Sequence, residues 1–458
     1  MAQLFNAGEL KIRPGVYYRY TNNTAATPSS ALDGVNAIVA KASWGPAGVV
    51  TVHETATSLK ETYGNGEGVD TALMLFKAGA RRVYMFRPEG TEGVAGMATV
   101  GNATIVAKYV GARALKVKIQ TKPGSTTMKE CIVLEGATQL EKVSFSTATG
   151  KECSALKEAL AKSAYVTCTF EADGTISSGE YTLTGGKDPV VTTEDYLKGF
   201  QALEPCRYNV LSTDSADDAV AQIMLAYVNE AETAGKLIIG VVGDTTSEFE
   251  DRCAKAKSYN DKNIAFMGSV FKEGETEVTG VKAINYAAGV ISATPSNQSI
   301  VHSVVSTATD LPEKLTNAQY EEAIQNGMLL LSIGPNGQIW FDSGINTLVD
   351  PASNEDDGWK KIKRTKVRFE LMDRLDAVVA PLVGTVNCDP DGIGAVIQVG
   401  MGVINEMVAE RKLAEGASII EDPDHAHSGD SAWFLIAADD IDSLEKIYLH
   451  YQFRYSQA

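Results

Sequence analysis

Hydrophobic and polar positions along this chain follow two alternating rhythms, and the places where the rhythm changes mark its organisation. Residues 1–11 carry little periodicity. A turn at Arg13-Pro14-Gly15 then leads into the strand-like stretch Val16, Tyr17, Tyr18, Arg19, Tyr20, which calls for a distant pairing partner. The continuous apolar run 35–40 predicts a buried strand, Trp44-Gly45-Pro46 a turn, 58–63 a short helix, 70–78 a helix and 82–87 a strand. Between Pro88 and Pro189 the pattern becomes alternating and Thr-rich, with strands expected at 114–119, 131–134 and 165–170 and one helix at 153–162. The first rhythm then resumes: helices near 193–201, 216–234 and 247–258 are interleaved with strands at 208–211, 237–242 and 264–267.

Strands alternating with helices of this length predict a parallel, doubly wound sheet, so the Thr-rich stretch reads as an insertion into it. An acidic, linker-like loop at 350–358 precedes helices near 359–379 and 393–414 and strand-like ends at 432–437 and 447–455. The expected architecture is an α/β core with an inserted mainly-β domain and an α+β C-terminal domain, flanked by extended terminal arms. Its divisions are an N-terminal arm at 1–20, the core at 21–88 plus 189–350, the outer β-rich domain at 89–188, the C-terminal domain at 351–444, and a C-terminal arm strand at 445–458. In that last segment Ile447, Leu449, Tyr451, Phe453 and Tyr455 alternate with polar or amphipathic neighbours, the mark of a half-buried strand.

Length and composition narrow the class. The 458 residues suit roughly three domains, and 44% hydrophobic content provides for a large core. With 41 basic against 58 acidic residues the net charge is −17, which disfavours nucleic acid and anionic membranes as partners. No apolar run is expected to span a bilayer, and the first ten residues lack the features of a signal peptide. The six scattered cysteines, none in C-x-x-C spacing, read as buried small hydrophobes of a chain folding in a cytosol. One local reversal of charge stands out. Lys360, Lys361, Lys363, Arg364, Lys366 and Arg368 put six cations into nine residues, either a solvated helix face or a stripe that docks on an acidic partner.

Catalytic chemistry finds little purchase. The chain has no G-x-S-x-G, no phosphate-cradling G-x-x-x-x-G-K-[ST] and no H-E-x-x-H. His425 and His427 sit among carboxylates on a polar loop without an evident third metal ligand. The glycine-bearing turn ending at Asp244 follows a strand, where α/β sheets often bind ligands, but it also reads as a plain turn. The pairs Asp217-Asp218 and Asp439-Asp440 suit helix capping. No catalytic, cofactor-binding or metal site is expected. A metabolic α/β enzyme of unknown substrate stays open as the alternative to an assembly protein.

Several segments resemble, in order, those of contractile tail sheath proteins from bacterial myophages and phage-tail-like bacteriocins. They are Arg13-Pro-Gly-Val-Tyr17, Gly34-Val-Asn-Ala-Ile-Val-Ala-Lys-Ala-Ser-Trp-Gly-Pro46, Phe76-Lys-Ala-Gly-Ala-Arg-Arg-Val-Tyr-Met-Phe-Arg-Pro88, Thr184-Gly-Gly-Lys-Asp188 and Asn285-Tyr-Ala-Ala-Gly-Val-Ile-Ser-Ala-Thr-Pro295. The C-terminal domain, with a Trp and the basic residues of 360–368 entering a helix, is similar to the family's tube-facing domain, most like the versions from Gram-positive hosts. The resemblance implies a non-enzymatic subunit of a virion tail or bacteriocin particle, put together in the host cytoplasm. Its partners would be further copies in hexameric rings and a helical stack, the inner tail tube protein, and baseplate and tail terminator proteins. Terminal arms would complete sheets in neighbouring subunits, which assigns Val16, Tyr17, Tyr18, Tyr20, Ile447, Leu449, Tyr451, Phe453 and Tyr455 to subunit interfaces.

Overall fold

A computed structural model describes residues 3–4, 17–18, 32–148, 150–278, 280–353 and 355–454. Residues 1–31 form a unit by themselves, in which Gln3–Leu4 pairs in parallel with Tyr17–Tyr18. The strand expected to seek a distant partner thus has a local one. Val16, Tyr20 and Tyr455 lie outside the described residues.

Seven strands build the central sheet: β1 (Val35–Val39), β2 (Val50–His53), β3 (Arg82–Phe86), β4 (Val210–Thr213), β5 (Ile239–Gly243), β6 (Ile264–Met267) and β7 (Met328–Leu329). Their spatial order is β7-β6-β5-β4-β1-β3-β2, parallel throughout except for the antiparallel edge strand β2. The near-continuous apolar runs of these strands follow from burial on both faces. One face packs under α1 (Ala56–Tyr63), α2 (Glu67–Lys77) and later α6 (Val281–Ala293), with Leu59, Leu75, Ile284 and Ile291 meeting Ile38, Met85 and Val241. The other is covered by α3 (Thr193–Ala202), α4 (Asp218–Thr233) and α5 (Phe249–Tyr259), with Phe200, Met224 and Cys253 meeting Val39, Leu211 and Phe266. Within α4, Val220, Met224, Tyr227, Val228 and Ala231 recur at helical spacing, and the Asp217 carboxylate caps the first turn by accepting from the Ala219 amide.

Between β3 and α3 the chain leaves the sheet and returns. A four-stranded antiparallel sheet, ordered 138–146, 128–135, 115–121, 179–182, packs with a three-stranded one, ordered 166–170, 103–107, 97–100, and with the helix Glu152–Leu160 around a core of its own. Paired bridges Thr91 to Val190, Val94 to Lys187 and Met97 to Thr184 zip its outgoing and returning strands into a stem. One member of that separate core comes from outside it. Trp44, read from the sequence as a turn residue, is 2% exposed and lies edge-on to Tyr109 and stacked on Tyr165, with the Arg113 guanidinium over its ring.

The C-terminal part holds α7 (Ile362–Val379), α8 (Pro390–Ala409) and the antiparallel hairpin β8 (Ser418–Glu421) and β9 (Phe434–Ala437). It is not an independent body, because α7 is shared. Ile362 and Phe369 enter the central core, while Val367 and Leu371 join Ile404, Met407 and Ile419 in a second cluster. Helix α8, started by the Asp389 cap on the Gly392 amide and Pro390 in its first turn, is long and apolar enough to cross a membrane by length and composition. That corrects the expectation of no such stretch, since its interspersed glycines and a few polar residues break up the apolar run. Here its apolar side packs on α7 and β8.

Candidate assembly surface

The six cations expected as a solvated or docking stripe are mostly turned inward, which corrects both readings. Lys366 is buried and donates to the carbonyls of Ile291, at 2.9 Å, and Thr294, at the C-terminal end of α6, with an Asp33 oxygen 3.4 Å away. Burial lowers its pKa, opposed by Asp33. Lys363 is buried too, and its pKa is likewise lowered by burial. Lys360 pairs with Asp357 at 2.9 Å. The remaining three hold the chain that follows β9. Arg364 and Arg368 converge on the Asp440 carboxylate, Arg368 reaching it at 3.0 Å while also contacting Asp356. Lys361 bridges Asp442 at 2.6 Å and Glu445 at 2.9 Å, and Ser299 donates to Glu445 at 3.0 Å. Burial would raise the Asp440 pKa, but the hydrogen bonds from Arg364 and Arg368 outweigh it and hold the carboxyl below its usual range. Asp440 is therefore a counter-ion, not the helix cap its pairing with Asp439 suggested.

Beyond Glu445 nothing of the kind holds the chain. Residues 441–454 form no strand, and Ile447, Leu449, Tyr451 and Phe453 are 68%, 69%, 70% and 93% exposed. The alternation is present without a partner edge. Among the described residues β8 and β9 pair only with each other, so each keeps an open outer edge, and Ile420, Trp433, Leu435 and Ile436 are exposed on or beside them. A two-stranded sheet is a marginal structure by itself. In the loop joining its strands, His427 Nδ1 sits 2.6 Å from Glu421 and His425 Nδ1 3.0 Å from Asp422.

A cavity of about 280 Å³ opens at the C-terminal ends of β1 and β4, where the strand order reverses and α/β proteins hold ligands. Lys41, Glu67, Gly68, Asp188 and Asp214 line it. The Asp214 carboxylate, raised in pKa by burial, accepts the Tyr196 hydroxyl and the Lys41 amide at 2.8 Å, and lies against Gly68 in the first turn of α2. A side chain of the protein itself occupies the place an anionic ligand would take. At the Asp244 turn the carboxylate accepts from the Thr246 and Ser247 amides and from Lys255. Burial would push its pKa up, yet those bonds hold it well below the usual range. That is a self-satisfied turn. Of the cysteines, Cys131, Cys153, Cys168 and Cys253 are buried as expected, whereas Cys206 is half-buried and Cys388 exposed.

Sequence reading missed the residues that fix the inserted domain to the core. Arg87, 1% exposed, donates to the carbonyls of Gly45 on the core side and Val110 on the inserted side. Asp188 accepts from Ser43 and from the Ala112 amide at 2.8 Å each. An Arg-Pro at a strand end carries no periodicity to single it out.

The doubly wound sheet with its inserted β domain and C-terminal helix pair thus bears, among the described residues, an apolar segment without a partner and a hairpin with open edges. Residues 190–347 match the family model described as phage tail sheath protein central domain. The phage-like element PBSX protein XkdK of Bacillus subtilis is 22% identical, over 97% of this chain and 98% of that one. The sheath tail protein of Desulfitobacterium hafniense has the same fold, with a TM-score of 0.74 at 18% identity over 93% of this chain and all of that one. The anti-feeding prophage helical sheath in its contracted state gives 0.56 at 12% identity, over 97% of this chain and 99% of that one. Residues 190–347 thus match the phage tail sheath central domain, within a fold that the chain shares with these sheath proteins.

Proposed function

We propose that this chain is the structural subunit of a contractile tail sheath. Copies assemble as hexameric rings stacked around an inner tail tube, and contraction of the stack drives the tube through a target cell envelope. The observation that carries this reading is the coexistence, in one C-terminal region, of an apolar segment without a partner and a hairpin with two open edges. Burying Ile447, Leu449, Tyr451 and Phe453 yields about 1.5 to 3 kcal/mol each, while ordering the segment costs about 1.5 kcal/mol per residue. These contributions nearly cancel, so the segment stays loose alone and orders when main-chain hydrogen bonds to another copy's hairpin are added.

Inner tube, baseplate and terminator proteins are the further partners this role requires, in a virion tail or a headless particle. The cations of 360–368 do not supply the tube-facing surface, since the chain's own carboxylates and carbonyls engage most of them. The metabolic-enzyme alternative would use the cavity at the strand ends, where Asp214 occupies the ligand position. Negative-stain microscopy decides: the purified chain forms tubes or rings, and a chain ending at Lys446 stays folded but forms neither. Discrete particles from the intact chain, or normal tubes from the shortened one, would overturn the proposal.

A further inference from the structure

The segment between β9 and the free tip is attached in an unusual way. Its backbone is tied at two points, the Ala414 amide donating to Asp439 and the Ile441 amide to Lys412, at 2.8 and 2.9 Å. Otherwise charge holds it: Asp440 on Arg364 and Arg368, Asp442 and Glu445 on Lys361, Glu445 also on Ser299. Its own apolar side chains add little to this, with Leu444 81% exposed and Ile441, at 37%, only partly covered. A segment bound by apolar burial would resist removal in any salt. One bound by ion pairs opens without baring an apolar core; the pairs of Lys361 are partly exposed and screened by salt, whereas Asp440, 5% exposed at its side chain, is shielded between its two arginines.

We infer that residues 440–446 are a releasable strap that stores length for the arm. Resting on the proposed exchange of arms, the inference adds its regulation. While the strap is closed, only the chain beyond Lys446 is free to reach a neighbouring copy. When the captured tip is drawn away, Glu445 and Asp442 leave Lys361, Asp440 leaves its two arginines, and seven residues join the linker. Extended, they lengthen it by about 23 Å. Two copies can then separate by at most that distance while their strand pairing survives, and Arg364, Arg368 and Lys361 are left free to recapture the strap.

Hydrogen exchange read by mass spectrometry on the full-length chain tests this in two settings. In the unassembled chain, D440N/D442N/E445Q leaves α7 intact and is expected to speed exchange at the Ile441 amide at least tenfold. Exchange in α7 and α8 stays unchanged. No acceleration in this variant would overturn the ionic strap. In tubes of the unaltered chain, peptides covering 440–446 lose protection relative to the unassembled chain while 447–454 gain it. Protection of 440–446 that is equal in both states would overturn the stored length, even with the arm docked. Lack of protection at 447–454 in the tubes would instead sink the arm exchange on which the inference rests.

Discussion

At Gly68 a single hydrogen stands where any other residue would place a carbon 2.1 Å from the Lys41 carbonyl oxygen and 2.8 Å from an Asp214 oxygen. The nearer contact is backbone and the other a buried, hydrogen-bonded carboxylate, so neither can yield cheaply. Gly68→Ala is expected to cost about 3 kcal/mol, visible as a lower urea midpoint at unchanged slope. Asp214 itself gives the cavity a pH signature. Burial raises its pKa, with Tyr196 and Lys41 opposing, so the folded chain holds this proton more tightly than the unfolded one. Its contribution is then full below the unfolded carboxylate value of about 4 and is lost as pH rises through the folded value. Asp214→Asn is expected to flatten the fall in stability between pH 4 and neutrality, followed by denaturant unfolding across that range. An unaltered slope would assign the dependence to other groups.

At the scale of the element, α7 is the piece on which two cores and the strap depend. Lys366 reaches from it to the carbonyls ending α6, where a cation is favoured by the helix dipole. Around it Glu370, Arg374, Glu410 and Lys412 form a linked set, with Arg374 to Glu410 at 2.9 Å and Lys412 to Glu370 at 2.8 Å. Lys366→Met keeps the stem but strips two carbonyls and Asp33 of their partner. We expect a loss of about 3 to 5 kcal/mol, read as a lower Tm together with faster hydrogen exchange along α7. Periodicity made this helix legible, as it did α4 and the parallel strands, because each presents one repeat to one environment. It could not reveal the destination of the charges. Lys363 and Lys366 look in sequence like their half-buried neighbour Lys360, and only the packing of α7 separates them. Strand β2, the stem bridges and the hairpin edges were equally hidden, since pairing between distant residues leaves no local rhythm. The segment 447–453 displays a strand's alternation without being one, because alternation reports compatibility with an edge and not the presence of that edge.

At the scale of the molecule, the inserted domain is expected to be separable with one provision. Joining Glu89 to Val190 through a short Gly/Ser linker removes the core into which Trp44 fits, leaving that ring in water. We expect the simple deletion to aggregate, and the deletion combined with Trp44→Ser to be soluble, to unfold cooperatively and still to form tubes in negative stain. A soluble, folded product unable to polymerise would mean the insertion takes part in assembly. In the intact chain the same tryptophan, with Arg87 and Asp188, has a mechanical consequence. These residues grip the inserted domain on several sides of its stem, at the end of the sheet where β1 and β3 finish. A part fastened at one point swivels, whereas one fastened at several transmits torque. A push on the inserted domain is therefore not dissipated in the stem but arrives as a twist on the central sheet, so that whatever touches that domain has leverage over the core.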